Sequence, residues 1–291
     1  MIPYAIFTDA TVDMQPKEAS RLNVHVLPMA FLIDGVTYHQ TPENHEMSPK
    51  DFYAAMRAGK IPTTSQIPAA QYEEWLEPTL QAGQDILFIC FSSALTGSYH
   101  NACMAAQELT ERYPDRKVLV VDSRSASSGE RLLVEECVIL RAQGKSIDYV
   151  HTWAEESRSN IRHWLTVDNL NDLKRGGRIS AASAMVGTML NIKPIIQINE
   201  AGALVPVDKV RGRKASLDYL VERFAESYLP DKAPVYVAHG DCLEDAEYCV
   251  KQIKEKTGVK TVSINTVGPI IGAHTGPSIV AILYFGKKRE S

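Results

Sequence analysis

The chain has 291 residues, of which 45% are apolar, and a formal net charge of −4. That length holds one large domain or two ordinary ones, and that composition fits a folded core rather than a disordered chain. A nucleic-acid binder carries a basic excess to replace counterions on phosphates, so the acidic balance argues against that class, while local basic clusters leave an acidic ligand open.

Residues 1–9 lack a basic stretch followed by an apolar one, so no signal peptide is expected. No run of about 18 uninterrupted apolar residues occurs, so no integral membrane segment is predicted. The five cysteines are scattered, without a C-x-x-C pair, as in a cytoplasmic protein with reduced thiols.

Residues 4–8 form a short apolar run ending in Asp9, the pattern of a buried parallel strand entering a loop. Residues 24–33 read as a second extended run, and Asp34-Gly35 supplies the left-handed turn of a hairpin into residues 36–38. Ser48-Pro49-Lys50-Asp51 opens a helix with Ser48 as N-cap and Pro49 at N1, and Gly59 stops it. A polar loop over 61–66 leads to a helix over 69–82. Residues 85–91 are a continuous apolar strand, followed by a hydroxyl-rich loop and a helix to about 112. Residues 117–122 are another such strand, whose loop feeds a helix beginning near Gly129. Strand, polar loop and helix thus recur three times, which predicts a doubly wound parallel sheet with ligands beyond the carboxyl ends of its strands.

After about residue 160 the pattern changes. Short strands are expected at 163–167, 194–198 and 204–207, the last two joined by a turn at Glu200-Ala201-Gly202. A helix over 214–228, a strand over 235–239, a helix over 243–256 and strands over 259–265 and 278–285 follow. This half reads as α+β with a more antiparallel sheet. No linker, repeat or low-complexity tract separates the halves, so they are expected to pack closely, with a boundary near residue 155.

Three loops concentrate hydroxyls and glycines: Thr63-Thr64-Ser65-Gln66, Ser92-Ser93-Ala94-Leu95-Thr96-Gly97-Ser98 and Gly272-Ala273-His274-Thr275-Gly276-Pro277. Hydroxyls donate one hydrogen bond each, and glycine lets the backbone approach a ligand closely. The second loop opens a helix, whose free N–H groups and dipole favour an anion. Helix capping and anion binding both explain such loops. His274 reads as a ligand donor, a base or a structural histidine. Two basic clusters, Lys174-Arg175-Gly176-Gly177-Arg178 and Lys209-Val210-Arg211-Gly212-Arg213-Lys214, suit phosphate or carboxylate recognition or a solvated surface. The adjacent glycines of the first imply a fixed turn.

No dinucleotide, Walker, zinc-protease or nucleophile-elbow signature occurs, and no His/Cys/Asp cluster has metal spacing. Asp9, Asp13, Asp122 and Asp168 sit at strand ends or starts without a visible catalytic pairing. An enzyme reading, a hydrolase or phosphotransferase with His274 as base or phosphoacceptor and Thr96 or Ser98 as nucleophile, needs an orienting acid that the neighbouring segments do not supply.

In order along the chain, Thr8-Asp9-Ala10-Thr11, Thr63-Thr64-Ser65-Gln66, Ser92 to Tyr99, Leu173-Lys174-Arg175-Gly176-Gly177-Arg178-Ile179-Ser180, Leu190 to Ile195 and Gly272-Ala273-His274-Thr275-Gly276-Pro277 form a series. With these motifs in register, the sequence resembles the DegV family, the fatty-acid-binding subunits of bacterial fatty acid kinase. The resemblance implies an α/β fold: a Rossmann-like N-terminal domain with a parallel sheet (1–155) and a C-terminal α/β domain with a mixed, largely antiparallel sheet (156–291). It implies a long-chain fatty acid buried between them, no cofactor, and a non-enzymatic carrier role beside the ATP-binding subunit of a fatty acid kinase. Carried onto matching positions, the carboxylate donors are Thr64, Thr96 and His274, with Ser65, Ser93, Gly97, Ser98 and Thr275 as neighbours. Arg175 or Arg178 matches the arginine that works with the kinase. The sequence departs from the family pattern at Ile67, where proline is usual, at Thr96 and Ser98, where serine and threonine are usual, and at Ala10, which loses one hydroxyl.

Overall fold

The computed structural model describes residues 3–44, 46–179, 191–230 and 234–289. Ser180 and Leu190, which end and begin two of the family-like motifs, lie outside the described residues, as do the first two residues of the N-terminal segment read for a signal peptide.

In chain order the strands are β1 (Tyr4–Asp9), β2 (Val24–Leu27), β3 (Met29–Ile33), β4 (Val36–Gln40), β5 (Thr63–Thr64), β6 (Asp85–Cys90), β7 (Val118–Asp122), β8 (Ile161–Thr166), β9 (Ile192–Ile198), β10 (Leu204–Arg211), β11 (Val235–His239), β12 (Val262–Thr266) and β13 (Val280–Phe285). The helices are α1 (Pro16–Leu22), α2 (Pro49–Arg57), α3 (Ala69–Gln81), α4 (Ser98–Arg112), α5 (Ser128–Ala142), α6 (Ile147–Ser157), α7 (Asn171–Arg175), α8 (Arg213–Ser227), α9 (Leu243–Thr257) and α10 (Pro269–Thr275).

The fold is α/β, as expected. A four-stranded sheet of order β2-β1-β6-β7 is parallel throughout. A six-stranded sheet of order β10-β9-β8-β13-β11-β12 is antiparallel except where β11 meets β12. A small hairpin sheet, β4-β3-β5, sits beside the first. Asp34 (φ 53) and Gly35 (φ 78) make the β3–β4 turn in the left-handed conformation that the Asp-Gly pair predicts.

Three differences from the sequence reading have local causes. Residues 24–33 are two strands: Pro28 breaks the run, sending β2 to the parallel sheet and β3 to the hairpin sheet. Residues 269–275 are a short helix, α10, with Pro269 at N1 and Gly276 (φ 78) past its end, so the third glycine-rich segment is a helix terminus rather than a free loop. The helix begun near Gly129 is α5, and a second helix that the sequence reading did not name, α6, follows it: Gly144 (φ 77) turns the chain after α5 and Ser146 caps α6. Residue 155 falls inside α6.

Strand alternation sets two faces on the six-stranded sheet. Val280, Ile282 and Tyr284 of β13 point with Trp164 of β8 into a core under α8 and α9. Ala281, Leu283 and Leu165 point the other way, into a core shared with Ile6, Leu87 and Ile89 of the parallel sheet. The two sheets therefore bury apolar faces against one another. Arg289 adds a polar tie at their junction. It is 5% exposed, and its guanidinium donates to the carbonyls of Ile161 (2.7 Å), Arg124 (2.8 Å), Asn199 (3.1 Å) and Arg158 (3.3 Å) and to Ser125 Oγ (3.1 Å).

Candidate functional site

Where the carboxyl ends of the parallel strands face the six-stranded sheet, the chain encloses a cavity of about 260 Å³, of the order of small-molecule sites. Its interior wall is apolar and buried, with Phe91, Leu95, Leu165, Ile198, Ala281 and Leu283 contributing. At one end the wall turns polar. Ser65, Gln66 and Gly97 there are exposed, and Thr64, Thr96, Arg178 and His274 are half-buried, so this end is the mouth.

Each polar group is held by a local device. Thr64 lies on β5, which pairs with Phe31 and Leu32, and the Ser65 N–H donates to the Ala30 carbonyl (3.0 Å). The N–H groups of Leu95 and Thr96 both fold back to the Ser92 carbonyl (3.0 and 3.2 Å), and Gly97 then caps α4. His274 stands in the last turn of α10. Gly176 at the end of α7 lies so close to the His274 ring that a Cβ there would overlap Nδ1. Gly177 (φ 70) turns the chain beyond it, and Arg178 comes back to the mouth.

Thr64 Oγ1 and His274 Nε2 are 2.8 Å apart. Thr96 Oγ1 accepts the Ser98 N–H (3.2 Å) and lies 3.0 Å from Ser98 Oγ. Burial first, then the Arg178 and Arg175 charges, lower the His274 pKa from 6.5 to about 4, so the imidazole is neutral near pH 7. Its Nδ1 has no partner among the described residues. Arg178 donates from Nε to the Leu95 carbonyl (3.0 Å) and from Nη1 to the Gly176 carbonyl, and burial lowers its pKa.

Of the residues singled out from sequence, Thr64, Ser65, Thr96, Gly97, His274 and Thr275 meet on this wall. The Thr275 hydroxyl donates to its own helix, at the Ile271 carbonyl (3.0 Å). Ser93 and Ser98 are not among the residues that line the cavity. Ser93 donates to Asp122 (2.6 Å), and Ser98 is buried behind Thr96, 3.4 Å from the Ile67 N–H. The two arginines separate. Arg178 lines the cavity, so the mouth is not purely neutral, whereas Arg175 has a 40% exposed side chain paired with Asp172.

Gln66, from the first hydroxyl-rich loop, also stands on the wall, and the sequence reading missed Ser127 and His163 there. Gln66 packs over Gly97, where a Cβ would overlap its Oε1. Ser127 has φ 52 and donates to Asp13 (2.5 Å), a buried carboxyl that also accepts from the Gly268 N–H (2.9 Å) and Gln40 Nε2 (3.0 Å). His163 lies two residues before Leu165 on β8, and period-two alternation within the strand expected at 163–167 puts both on the same face.

The comparisons with known proteins agree along the whole chain. The sequence model described as "Uncharacterised protein, DegV family" matches residues 3–287. A DegV domain-containing protein of Clostridium perfringens is 38% identical over 291 residues, covering 100% of both chains. Among solved structures, a DegV family protein from Thermus thermophilus, described by its fatty acid binding, is 28% identical with a TM-score of 0.84, covering 98% of this chain and 100% of that one. A fatty-acid-binding DegV family protein from Streptococcus agalactiae, at 24% identity and a TM-score of 0.86 over 100% of both chains, shares the fold. With its family's model matched almost from end to end and a full-length relative at 38% identity, the chain belongs to the DegV family.

Proposed function

We propose that this protein binds a long-chain fatty acid with its acyl chain in the cavity and its carboxylate at the mouth, and presents that carboxylate to a separate kinase. The carrying observation is the division of one cavity into an apolar buried interior and a polar mouth. Likeness to the fatty-acid-binding Thermus thermophilus protein supports the same ligand class.

Burying an acyl chain is favourable by about 0.8 kcal/mol per methylene, so about fourteen methylenes offer on the order of 10 kcal/mol before association costs. Head-group contacts then need only orient the carboxylate. Thr64 and Thr96 supply hydroxyls, and neutral His274 hydrogen-bonds without adding charge. Arg178 places a positive charge on the wall, partly satisfied by two carbonyls. Arg175, exposed beside the mouth, is the better placed of the two arginines to meet a kinase.

The enzyme reading with His274 and Thr96 or Ser98 gains no support. His274 Nδ1 lacks an orienting carboxylate among the described residues, and Ser98 is off the wall.

Native mass spectrometry of the purified protein tests the proposal. A bound species of fatty-acid mass is expected, with lower occupancy for Thr96→Val, which removes a donor and keeps the shape. Ligand-free protein that also ignores added fatty acid overturns the reading.

A further inference from the structure

The α4 side of the mouth holds a pair of hydroxyls, Thr96 and Ser98, of which Thr96 lines the cavity and Ser98 does not. Ser98 is the first residue of α4 and is fully buried. The first turn of α4 grips the neighbouring loop at one residue, Ile67. The Ile67 N–H points at Ser98 Oγ (3.4 Å), and Asn101 Nδ2 donates to the Ile67 carbonyl (2.8 Å). Ser98 therefore stands between the segment that carries Thr64 and the one that carries Thr96.

Counting hydrogens fixes which way the pair is bonded. Thr96 Oγ1 and Ser98 Oγ are 3.0 Å apart, and by distance alone either could donate. Ser98 Oγ faces the Ile67 N–H with a lone pair, and its own hydrogen needs an acceptor. The Tyr72 hydroxyl is not within hydrogen-bond reach. Among the described residues, Thr96 Oγ1 is the acceptor that Ser98 Oγ meets. Were Thr96 the donor, the Ser98 hydrogen would be left without a partner inside the protein, an unfavourable arrangement. Ser98 is therefore the donor. Thr96 Oγ1 then accepts twice, from the Ser98 hydroxyl and from the Ser98 N–H (3.2 Å), which occupies both of its lone pairs. Thr96 is half-buried at the cavity wall, and no described residue accepts the hydrogen that it still carries.

We propose that Ser98 is a positioning residue: by donating to Thr96 Oγ1 it makes the Thr96 hydroxyl an obligate donor, whose hydrogen is left for a carboxylate oxygen of the ligand. The proposal rests on the fatty-acid reading of the cavity and deepens it. A hydroxyl can donate or accept, and a freely turning one would pass part of its time with lone pairs toward the head group, which repel an anion. With both lone pairs engaged, Thr96 presents one polarity. Ser98 touches no ligand in this arrangement and acts through Thr96 alone.

Calorimetric titration of delipidated protein with hexadecanoic acid, over wild type, Ser98→Ala, Thr96→Val and the double variant, tests it. Ser98→Ala should bind about fivefold more weakly than wild type, and in the Thr96→Val background the same change should have no further effect. Ser98→Thr, which restores a hydroxyl, should recover most of the loss. A Ser98 that merely shapes the loop would act whether or not residue 96 bears a hydroxyl. Losses that multiply in the double variant, or a Ser98→Ala protein that binds as wild type, therefore overturn the proposal. Should Ser98→Ala fail to fold, Ser98→Cys keeps the size with only a weak donor and takes its place in the same comparison. If hexadecanoic acid does not bind wild type, the fatty-acid reading itself falls. If it binds and the losses multiply, only the role of Ser98 falls.

Discussion

The Thr11 hydroxyl carries one hydrogen, yet it lies between two buried carboxyls, 2.5 Å from Asp9 and 2.7 Å from Glu130. It can donate to one only, so the other carboxyl must hold a proton and donate to Thr11. Burial raises the pKa of Asp9 as well, but Asp9 also accepts the N–H groups of Thr11 (3.0 Å) and Phe91 (3.1 Å), which favour its anion over that of Glu130. Glu130 is therefore the acid, and burial, with the Asp9 charge, raises its pKa well above the usual value. Glu130→Gln replaces that acid by an isosteric donor and should change stability by no more than about 1 kcal/mol at pH 5. Urea unfolding checks it, and a loss of several kcal/mol would show that a carboxylate is needed. At the mouth, Arg175→Ala should lower acyl-phosphate formation with a cognate kinase several-fold and leave fatty-acid affinity unchanged. An equal loss of affinity in titration would place Arg175 in the binding site. The motif residues Thr64, Thr96 and His274 were legible because their segments match a family pattern. Arg178 was read as an arginine for the kinase, and neither its place on the wall nor that of His163 was legible, because the sequence shows a charge or an imidazole but not the wall that a distant strand builds around it.

Elements were legible where a local rule decides them. Ser48 accepts the Asp51 N–H at the start of α2 (3.1 Å), and Asp34-Gly35 turns the hairpin, as their sequence pattern requires. They were less legible where the outcome depends on which sheet receives a strand. Nothing in residues 24–33 says that Pro28 parts two sheets. The seven residues of α10 are too few to display a helical period, so glycines at its flank read as a loop. The contact between α7 and α10 yields a prediction at this scale. Gly176→Ala would drive a methyl into the His274 ring, and should cost about 1–3 kcal/mol together with a weaker grip on the fatty acid. Thermal melts and titration test the two effects. A variant that melts and binds as wild type would mean that the end of α7 moves aside freely.

For the whole molecule, the core joining the two sheets implies one cooperative unit, even though the sequence reading divides the chain near residue 155. A single calorimetric transition, with equal calorimetric and van't Hoff enthalpies, is expected, and two resolved transitions would contradict it. Its midpoint should depend on pH in a set direction. Asp13, raised from 3.8 to about 7 by burial, and Glu130, raised by burial and Asp9, keep protons that the unfolded chain has released. The stability they confer is full below the ordinary carboxylate range and declines as pH rises through their folded values. His274 acts oppositely: its folded value near 4 lies below 6.5, so its contribution is present above 6.5 and lost as pH falls toward 4. Glu130→Gln should flatten the alkaline decline, and an unchanged slope would remove Glu130 as its source. The parallel and antiparallel halves were legible from the order of runs, but the face each half offers the other depends on strand register. Arg289 shows what such long-range closure permits. Four of its five acceptors are main-chain carbonyls, which every amino acid possesses. The side chains at positions 124, 158, 161 and 199 are thus free to diverge among relatives without breaking the tie, while position 289 is not. A chimera that exchanges those loops should keep its seam intact as long as the guanidinium travels with the recipient.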